Sequence, residues 1–229
     1  MNINGIQKLT LLDFPGRMAC TVFLAGCDMR CPWCHNSELW RADAPAQMTD
    51  GELLDMLSKR RGILTGVVFT GGEALLRPEL PDLIARVRDL GYAVKLDTNG
   101  THPERLRRLI DAKLLDYAAM DIKNDAARYA LTCGLEKMDL APIGESIALL
   151  LEGRVQYEFR TTVVSPLHDR TSFIGIGSMI SGADRYFLQS FTDRDTVPFG
   201  GFSSPSGEEM QTFLDTVSPF VKFAAIRGE

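Results

Sequence analysis

The sequence predicts an α/β fold, built on a parallel sheet that is covered by helices. Two observations carry this prediction: short apolar, β-branched runs recur along the chain, and a helical stretch follows each of them. Strand and helix alternate about six times over the 229 residues, with no internal repeat, low-complexity tract or long linker. We therefore expect a single domain over 1–229. Periodicity alone leaves two architectures open, a doubly wound sheet and a full or partial (β/α) barrel.

The predicted elements follow one another in a regular order. The strand candidates are MACTVFL (18–24), GVVFT (66–70), YAVKLD (92–97), LLDYAAMDI (114–122), RVQYEFRTTVV (154–164) and DRYFLQSF (184–191). Thr49 and Glu52 have the spacing of a capping box, and Gly91 is a common type of helix terminator. Helices are accordingly expected from Thr49, over 79–90, from Pro103 to Ala112, in segments reaching Glu152 and around 206–217, before a last apolar run at 220–226.

Composition narrows the class of protein. Hydrophobic residues make up 45% and charged residues 24% of the chain, which is ordinary for a globular protein, and the net charge of -5 argues against a nucleic-acid partner. Arg105, Arg107 and Arg108 share one predicted helix, where such a group is usually a solvated face. No signal-peptide pattern or run of roughly 20 apolar residues is present. We expect a cytoplasmic protein without membrane contacts, in a compartment that disfavours disulfides.

Polar and glycine residues collect where the predicted strands end. Since the carboxyl ends of parallel strands meet at one edge of a sheet, we expect these residues to share one mouth. In chain order they are the segment AGCDMRCPWCHN (25–36), Gly71-Gly72-Glu73, Asp97-Thr98-Asn99-Gly100, Asp121-Ile122-Lys123, Arg160 within the fifth strand and Gln189 within the sixth.

The cysteine segment is the strongest indication of chemistry. Cys27, Cys31 and Cys34 stand within eight residues, and close thiolates in a loop suit a soft or borderline metal. A structural zinc site usually takes four protein ligands, and ligation by His35 beside Cys34 is strained. Iron–sulfur clusters are held by thiolates, ordinarily one per iron, so three thiolates on a four-iron cube leave one iron open to an outside ligand. A closed zinc site with His35 or a distant ligand remains the alternative.

The other two cysteines have a simpler interpretation. Cys20 lies inside a predicted strand, and Cys133 is about a hundred residues from the cysteine segment. Free cysteine is often buried, so we expect both to be small core residues and not ligands.

The remaining polar motifs allow both structural and ligand-binding roles. Gly71-Gly72 lets the backbone approach a ligand closely, although a glycine turn before a helix would look the same. Glu73 can accept hydrogen bonds from an ammonium group. Lys123, at an otherwise apolar strand end, needs a partner, and a ligand carboxylate would serve. Asp97 and Asp121 either cap local structure or neutralise cations in the mouth.

Together these motifs resemble the radical S-adenosylmethionine superfamily. The resemblance lies in the C-x3-C-x2-C spacing, in the aromatic Trp33 just before the third cysteine, and in Gly-Gly-Glu after the second strand. Within that superfamily, LTLLDFPGRMACTVFLAGCDMRCPWCHN (9–36) and FLQSF (187–191) are similar to activating proteins of anaerobic ribonucleoside-triphosphate reductases. DTNG (97–100) and DIK (121–123) are typical of that group and of pyruvate formate-lyase activases. The likeness thins between about 124 and 153 and after 192.

The resemblance implies a cofactor site. Cys27, Cys31 and Cys34 would ligate three irons of a 4Fe–4S cluster, and S-adenosylmethionine would chelate the fourth through its amino and carboxylate groups. The remaining residues would surround S-adenosylmethionine: Gly71, Gly72 and Glu73 at its amino group, Lys123 and Arg160 at its carboxylate side, Asp97, Thr98 and Asn99 in the same pocket with Asp121 and Gln189, and Trp33 and His35 flanking the adenine.

The resemblance also implies a fold, an activity and partners. The fold would be a partial (β/α)6 barrel, open at one side to admit a loop of a protein substrate. Reductive cleavage of S-adenosylmethionine would give a 5′-deoxyadenosyl radical that takes hydrogen from a glycine of a glycyl radical enzyme. A flavodoxin- or ferredoxin-type protein would supply the electron. Asp13 to Gly16 (DFPG) would lie near the rim, within reach of the incoming loop, unless they form a simple turn.

The sequence departs from the motifs of this group at two positions, and three alternative functions stay open. Ala74 stands where proline is common after Gly-Gly-Glu, and Ser190 replaces an expected glutamine. The alternatives are an activase of another glycyl radical enzyme such as pyruvate formate-lyase, a radical enzyme acting on a small molecule such as one of deazapurine ring contraction, and a zinc-binding or redox-sensing module without catalysis.

Overall fold

The computed structural model describes residues 1–227, and its centre is an open, mostly parallel sheet with helices packed along it. The strands are β1 Asn2–Ile3, β2 Gly5–Thr10, β3 Ala19–Leu24, β4 Met48–Thr49, β5 Gly66–Gly71, β6 Ala93–Thr98, β7 Tyr117–Asp121, β8 Gln156–Val163, β9 Tyr186–Ser190 and β10 Ala224–Arg227. The α-helices are α1 Asp50–Lys59, α2 Leu80–Asp89, α3 Pro103–Asp111, α4 Tyr129–Thr132, α5 Ala141–Leu151, α6 Arg170–Met179 and α7 Gly207–Val217.

The order of the strands distinguishes between the two predicted architectures. Eight strands lie in the order β10-β9-β8-β7-β6-β5-β3-β2, and all neighbours from β3 to β10 are parallel. Each crossover therefore advances the sheet in the same direction, as in a barrel, whereas a doubly wound sheet reverses at a switch point. Within residues 1–227, β2 and β10 do not pair, so the sheet stays open. The predicted α/β fold of the partial-barrel kind is confirmed.

Two strands extend the six predicted ones. The last apolar run supplies β10, which pairs in parallel with β9 and is a seventh parallel strand. β2 pairs antiparallel with β3 at the other edge, and its residues are mostly exposed or half-buried. That exposure explains why no apolar run in the sequence marks β2. A separate antiparallel pair joins β1 and β4.

The predicted helix signals are confirmed. Thr49 caps α1, since its hydroxyl accepts the Glu52 backbone N–H at 3.3 Å and the Glu52 carboxylate accepts the Thr49 N–H at 2.8 Å. α2 ends just before Gly91, which has a φ of +91°. In the part of the chain that the structure describes, no helix is long and apolar enough to cross a membrane.

Strand register decides which side chains face the inside of the sheet. Asp121 on β7 lies opposite Arg160 on β8, and Thr162 on β8 lies opposite Gln189 on β9. Side chains alternate between the two faces of a strand, so these polar residues share the inner face. The other face is apolar and packs against the helices in one large core.

The DFPG segment lies at the far end of the sheet. Because β2 runs antiparallel to β3, it carries the chain to the amino ends of the parallel strands, and Asp13–Gly16 form the turn there. Phe14 is 3% exposed, and its ring centroid lies 6.1 Å from that of Tyr117, so it closes the inside of the sheet at this end. The expected position near the rim that carries the cysteines is therefore wrong.

Candidate active site

A cavity of about 220 Å³ opens at the carboxyl ends of the parallel strands. Every site residue expected from the sequence lines it except Glu73. The predicted residues that the structure brings together there are Cys27, Cys31, Trp33, Cys34, His35, Gly71, Gly72, Asp97, Thr98, Asn99, Asp121, Lys123, Arg160 and Gln189. Five further residues complete the lining: Met29, Asn36, Trp40, Thr70 and Thr162.

The cysteine loop directs backbone N–H groups at its own sulfur atoms. The N–H of Met29 donates to Cys27 Sγ at 3.4 Å, and that of Asn36 donates to Cys34 Sγ at 3.4 Å. Arg30 stabilises the conformation of the loop, because its Nη1 donates to the carbonyls of Cys27 (2.6 Å) and Met29 (2.7 Å). Such N–H donors favour the thiolate forms that a metal cluster requires.

The three thiols differ in how readily they lose their protons. Burial raises the pKa of Cys27 to about 12 and also raises that of Cys34. The pKa of Cys31 is lowered, chiefly by a hydrogen bond with the thiol of Cys133. Metal binding must therefore displace protons at Cys27 and Cys34.

Cys133 is nearer to the site than its sequence position indicated. It is fully buried, as predicted for a core residue, but its thiol contacts that of Cys31, and its carbonyl accepts the Arg30 N–H at 2.9 Å. It does not line the cavity. Nothing in the sequence signals this contact, because it depends on how α4 packs back against the cysteine loop.

Gly71 and Gly72 bring two backbone segments together. A Cβ on Gly72 would lie 2.2 Å from the carbonyl oxygen of Gly26, and one on Gly71 would lie 2.4 Å from that of Leu24. Gly71 also has a φ of +122°, in the region that favours glycine. The glycines therefore serve, first of all, to let the strand end pack against the start of the cysteine loop. The sequence left two roles open for this pair, approach to a ligand and a glycine turn before a helix.

Glu73 does not face the cavity, in contrast to the expectation that it meets an ammonium group. It is fully buried, and its carboxylate accepts the N–H of Asn99 (2.7 Å), the N–H of Leu75 (3.0 Å) and the hydroxyl of Thr98 (3.0 Å). Burial raises the pKa of Glu73 to about 7, against the lowering effect of these donors. Glu73 thus joins the ends of β5 and β6, and it positions residues that do line the cavity.

Five charged side chains form a ladder of alternating sign on the inner face. Lys95 pairs with Asp97, Asp97 pairs with Arg160 at 3.1 Å, Arg160 pairs with Asp121 at 2.5 Å, and Asp121 pairs with Lys123 at 2.8 Å. Burial alone would raise the pKa of both aspartates, but Arg160 and the lysines lower it, so both are ionised. The ladder has three cations and two anions, and two of its cations, Lys123 and Arg160, line the cavity, where an anionic ligand group could meet them.

Lys95 was not predicted as a site residue. It is 1% exposed in the middle of β6 and reaches Asp97 on the same face of that strand. A lysine inside an apolar strand run was a detectable signal, because buried lysines are rare without a partner.

Two aromatic rings, those of Trp33 and His35, contribute to the lining of the cavity. Trp33 donates its Nε1–H to the carbonyl of Thr132 at 3.1 Å, and Lys123 Nζ lies 5.3 Å from the Trp33 ring centroid. His35 stacks on Phe191 with ring centroids 5.3 Å apart, and its Nε2 lies 2.6 Å from the carbonyl oxygen of Thr192. Both rings are held by the chain itself, so they offer fixed flat surfaces to a planar ligand group.

Asp28 ties the cysteine loop to the end of β6, a role that was not predicted. Its Oδ1 accepts the Asn99 side-chain N–H at 2.7 Å, and its Oδ2 lies 3.3 Å from His102 Nε2. Burial alone would raise the pKa of Asp28, but its polar neighbours His102, Thr101 and Asn99 outweigh that effect and lower the pKa to about 2. The carboxylate is therefore ionised at neutral pH and keeps the loop in register with Asn99.

The donor set fits a thiolate-bound cluster better than a single ion. Among residues 1–227, no three His, Cys, Asp or Glu side chains converge to hold one metal ion. Three thiols instead line one wall of a cavity with room for a larger group, beside a net positive charge and two ordered rings. Soft sulfur donors are the ligands of iron–sulfur clusters.

Comparison with known proteins gives the family. The model of the Radical SAM superfamily matches residues 21–162. A Methanocaldococcus jannaschii protein named as a glycyl-radical enzyme activating enzyme is 30% identical over 98% of this chain and 95% of its own length. The pyruvate formate-lyase-activating enzyme of Clostridium pasteurianum is 34% identical over about half of each chain, 52% and 53%.

Other similarities cover less of the chain or show the fold alone. A 7-carboxy-7-deazaguanine synthase of Hyperthermus butylicus is 38% identical over 41% of this chain and 40% of its own. Among solved structures, a TYW1 with a bound lysine-pyruvate adduct has a TM-score of 0.67 at 15% identity, covering 92% of this chain and 76% of that one. A domain of the pyruvate-formate lyase-activating enzyme of Bacteroides vulgatus has a TM-score of 0.58 at 21% identity, covering 72% and 99%.

The open parallel sheet, the three-thiol cavity and the family model agree, and the chain belongs to the radical S-adenosylmethionine superfamily. Proteins of this superfamily are enzymes that use a 4Fe–4S cluster and S-adenosylmethionine. Within it, the match over nearly the full length places the chain with the glycyl-radical enzyme activating enzymes, which are oxidoreductases.

Proposed function

We propose that this enzyme activates an anaerobic ribonucleoside-triphosphate reductase by generating a glycyl radical on it. The similarity of segment 9–36 to activators of that group supports the reductase as partner, and a full-length relative named for glycyl-radical activation supports the activation chemistry. The gap between β2 and β10 supports a protein substrate, since an open sheet can admit a loop of a second protein.

The observation that carries the proposal is a single cavity that is lined both by three thiols and by four residues of the charge ladder. Cys27, Cys31 and Cys34 would hold the cluster, and the N–H···S bonds within their loop would favour the thiolates. Lys123 and Arg160, the cations of the ladder that line the cavity, would attract the carboxylate of S-adenosylmethionine.

The remaining lining residues would orient the rest of S-adenosylmethionine. The backbone at Gly71 and Gly72 and the side chains of Thr98 and Asn99 would meet its amino group, while Glu73 would hold that segment in place from behind. Trp33 and His35 would flank the adenine, and Gln189, Asp97 and Asp121 would complete the pocket.

When bound, the cluster and S-adenosylmethionine supply an electron and a 5′-deoxyadenosyl group able to abstract a hydrogen atom from a glycine Cα. The side chains of the protein position the bound groups and limit the access of water to them. The buried ladder fixes the site before binding, so little reorganisation is needed. Phe14 closes the inner face at the amino end, which limits the entry of water and of competing hydrogen donors from that side.

The electron donor and the compartment complete the proposal. A small flavodoxin- or ferredoxin-type protein would deliver the electron. All five cysteines are free thiols, which suits the reducing cytoplasm where such donors work.

The test is a partner assay. The enzyme is reconstituted with iron and sulfide under anaerobic conditions, reduced, and mixed with S-adenosylmethionine and either an anaerobic ribonucleoside-triphosphate reductase or a pyruvate formate-lyase from the same source. Electron paramagnetic resonance should show a glycyl radical on the reductase, and 5′-deoxyadenosine should accumulate with it. The Cys31→Ala variant, which lacks one cluster ligand, should give neither.

A radical only on the lyase would overturn the choice of partner while keeping the activation chemistry. Formation of 5′-deoxyadenosine with a small purine precursor, and no protein radical, would instead favour an enzyme like the deazaguanine synthase. That relative matches only 41% of this chain, so the full-length match favours the protein substrate.

A further inference from the structure

A second cavity, of about 180 Å³, lies between the segment that leads into α2 and the outer turns of α3. Its floor is apolar, because Leu75, Leu80 and Leu109 line it and each is at most 2% exposed. None of the residues that line it also lines the cavity of the cysteines, so the two sites are separate.

Three arginines line this second cavity: Arg77, Arg105 and Arg108. Arg105 is fixed there, since its Nη1 donates to the carbonyl of Leu75 at 2.5 Å. Arg77 Nε is shielded from solvent and has no hydrogen-bond partner among the residues that the structure describes. Of the guanidinium groups in the lining, that of Arg105 is thus anchored by a backbone carbonyl, and that of Arg77 is partly buried at its Nε.

The three guanidinium groups also lack counter-ions. Between residues 1 and 227, none of them has a carboxylate within the 4.0 Å limit of an ion pair. Glu79 and Glu104 lie on the same two segments but do not line the cavity. Three like charges that line one cavity without a carboxylate partner create a positive potential that attracts an anion.

The basic face of α3 is thus divided in two. The sequence indicated an ordinary solvated group at Arg105, Arg107 and Arg108. Arg105 and Arg108 are exposed, as expected, and both also line the cavity, whereas Arg107 lies outside its lining. Arg107, which is half-buried, is therefore a control of the same charge on the same helix.

We propose that this cavity binds an organic phosphate. Guanidinium groups pair with phosphate oxygens through two parallel hydrogen bonds, and three positive charges match a phosphate dianion better than a single carboxylate. The apolar floor accommodates the organic body of the ligand, as in most small-molecule sites. The proposal does not depend on the radical chemistry of the other cavity.

The test uses the full chain, reconstituted with its cluster, and isothermal titration calorimetry with two probes, inorganic phosphate and phenyl phosphate. Both should bind saturably, and phenyl phosphate should bind at least about fivefold more tightly because its ring is buried on the leucines. Raising the salt concentration should weaken both interactions.

Variants make the assignment specific. Arg108→Gln and Arg77→Gln should each weaken phenyl phosphate binding about tenfold, whereas Arg107→Gln should leave it unchanged. Circular dichroism checks that all three variants are folded; the Arg108 side chain is exposed and has no hydrogen-bond partner within residues 1–227, so its loss should not disturb the fold. The proposal is overturned if neither probe saturates, if the ring adds no affinity, or if Arg107→Gln weakens binding as much as Arg108→Gln.

Discussion

We expect the cysteines in and near the cysteine loop to differ in their importance for binding the cluster. Cys31→Ala should abolish the absorbance near about 400 nm of the reconstituted protein, because it removes one of three cluster ligands. Cys133→Ala should keep that absorbance, although its thiol touches Cys31, because Cys133 does not line the cavity. Cys20→Ala, in the core of β3, should also keep it. Loss of the cluster in Cys133→Ala would mean that four thiols, and not three, hold it.

Because Glu73 is buried, we expect the free energy of unfolding to fall as the pH rises. Its pKa is about 7 in the folded protein against an ordinary value of 4.5. A raised carboxyl pKa means that its contribution to stability is fully present below 4.5 and is lost as the pH rises through 7. Relative to Glu73→Gln, the wild-type protein should lose about 3 kcal/mol of unfolding free energy over this interval.

Urea unfolding of the cluster-free protein between pH 4.5 and 8 measures this difference. Glu79→Gln, on the exposed side of the same segment, should follow the wild-type curve. A constant difference between wild type and Glu73→Gln across the whole range would show that the pKa of Glu73 is not raised.

Where β5 ends, the packing of two backbone segments depends on the absence of a side chain. Gly72→Ala places a methyl group 2.2 Å from the Gly26 carbonyl and 3.0 Å from that of Leu39, and both are backbone atoms that cannot turn aside. We expect a loss of about 3 kcal/mol in unfolding free energy, measured by urea denaturation. Gly144→Ala, inside α5 with nothing within 4 Å, should instead stabilise by up to about 1 kcal/mol. Equal midpoints for both variants would contradict this account.

The charge ladder belongs to three neighbouring strands, and its centre is Arg160. Arg160→Met leaves Asp97 and Asp121 facing each other without the cation between them, which should cost about 3–5 kcal/mol of unfolding free energy. Arg154→Met breaks a pair with Asp111 whose partners are 43% and 51% exposed, so it should cost under about 1 kcal/mol.

Calorimetry with S-adenosylmethionine on the reconstituted variants separates binding from folding. Affinity should fall strongly in Arg160→Met and remain unchanged in Arg154→Met. If both variants bind S-adenosylmethionine as the wild type does, the ladder does not set the charge of the site.

For the molecule as a whole, the alternation of strand and helix was predictable because a parallel sheet buries both faces of its strands. Such strands are apolar runs, and caps such as Thr49 mark the helices between them. β2 was not predictable in this way, since an edge strand needs no apolar run. Its direction places DFPG at the amino end, and only the pairing with β3 reveals that.

The candidate site was predictable as a set of residues but not as a set of contacts. The residues that line the cavity could be predicted from the ends of the strands, because the carboxyl ends of parallel strands meet at one edge of the sheet. Other contacts depend on how distant segments of the chain pack together, which the local sequence does not determine. These are the orientation of Glu73 and the partners of Asp28 and Cys133. Lys95 could have been predicted as a site residue, although it was not, because a lysine inside an apolar strand is visible in the sequence.

The lining of the cavity has a practical consequence. The chain has two tryptophans, Trp33 and Trp40, and both lie in that lining. Intrinsic fluorescence at the tryptophan wavelength therefore originates wholly beside the three thiols, with no background from the rest of the molecule. An iron–sulfur cluster absorbs light and quenches nearby indole emission, so cluster assembly and loss can be followed in real time without a label.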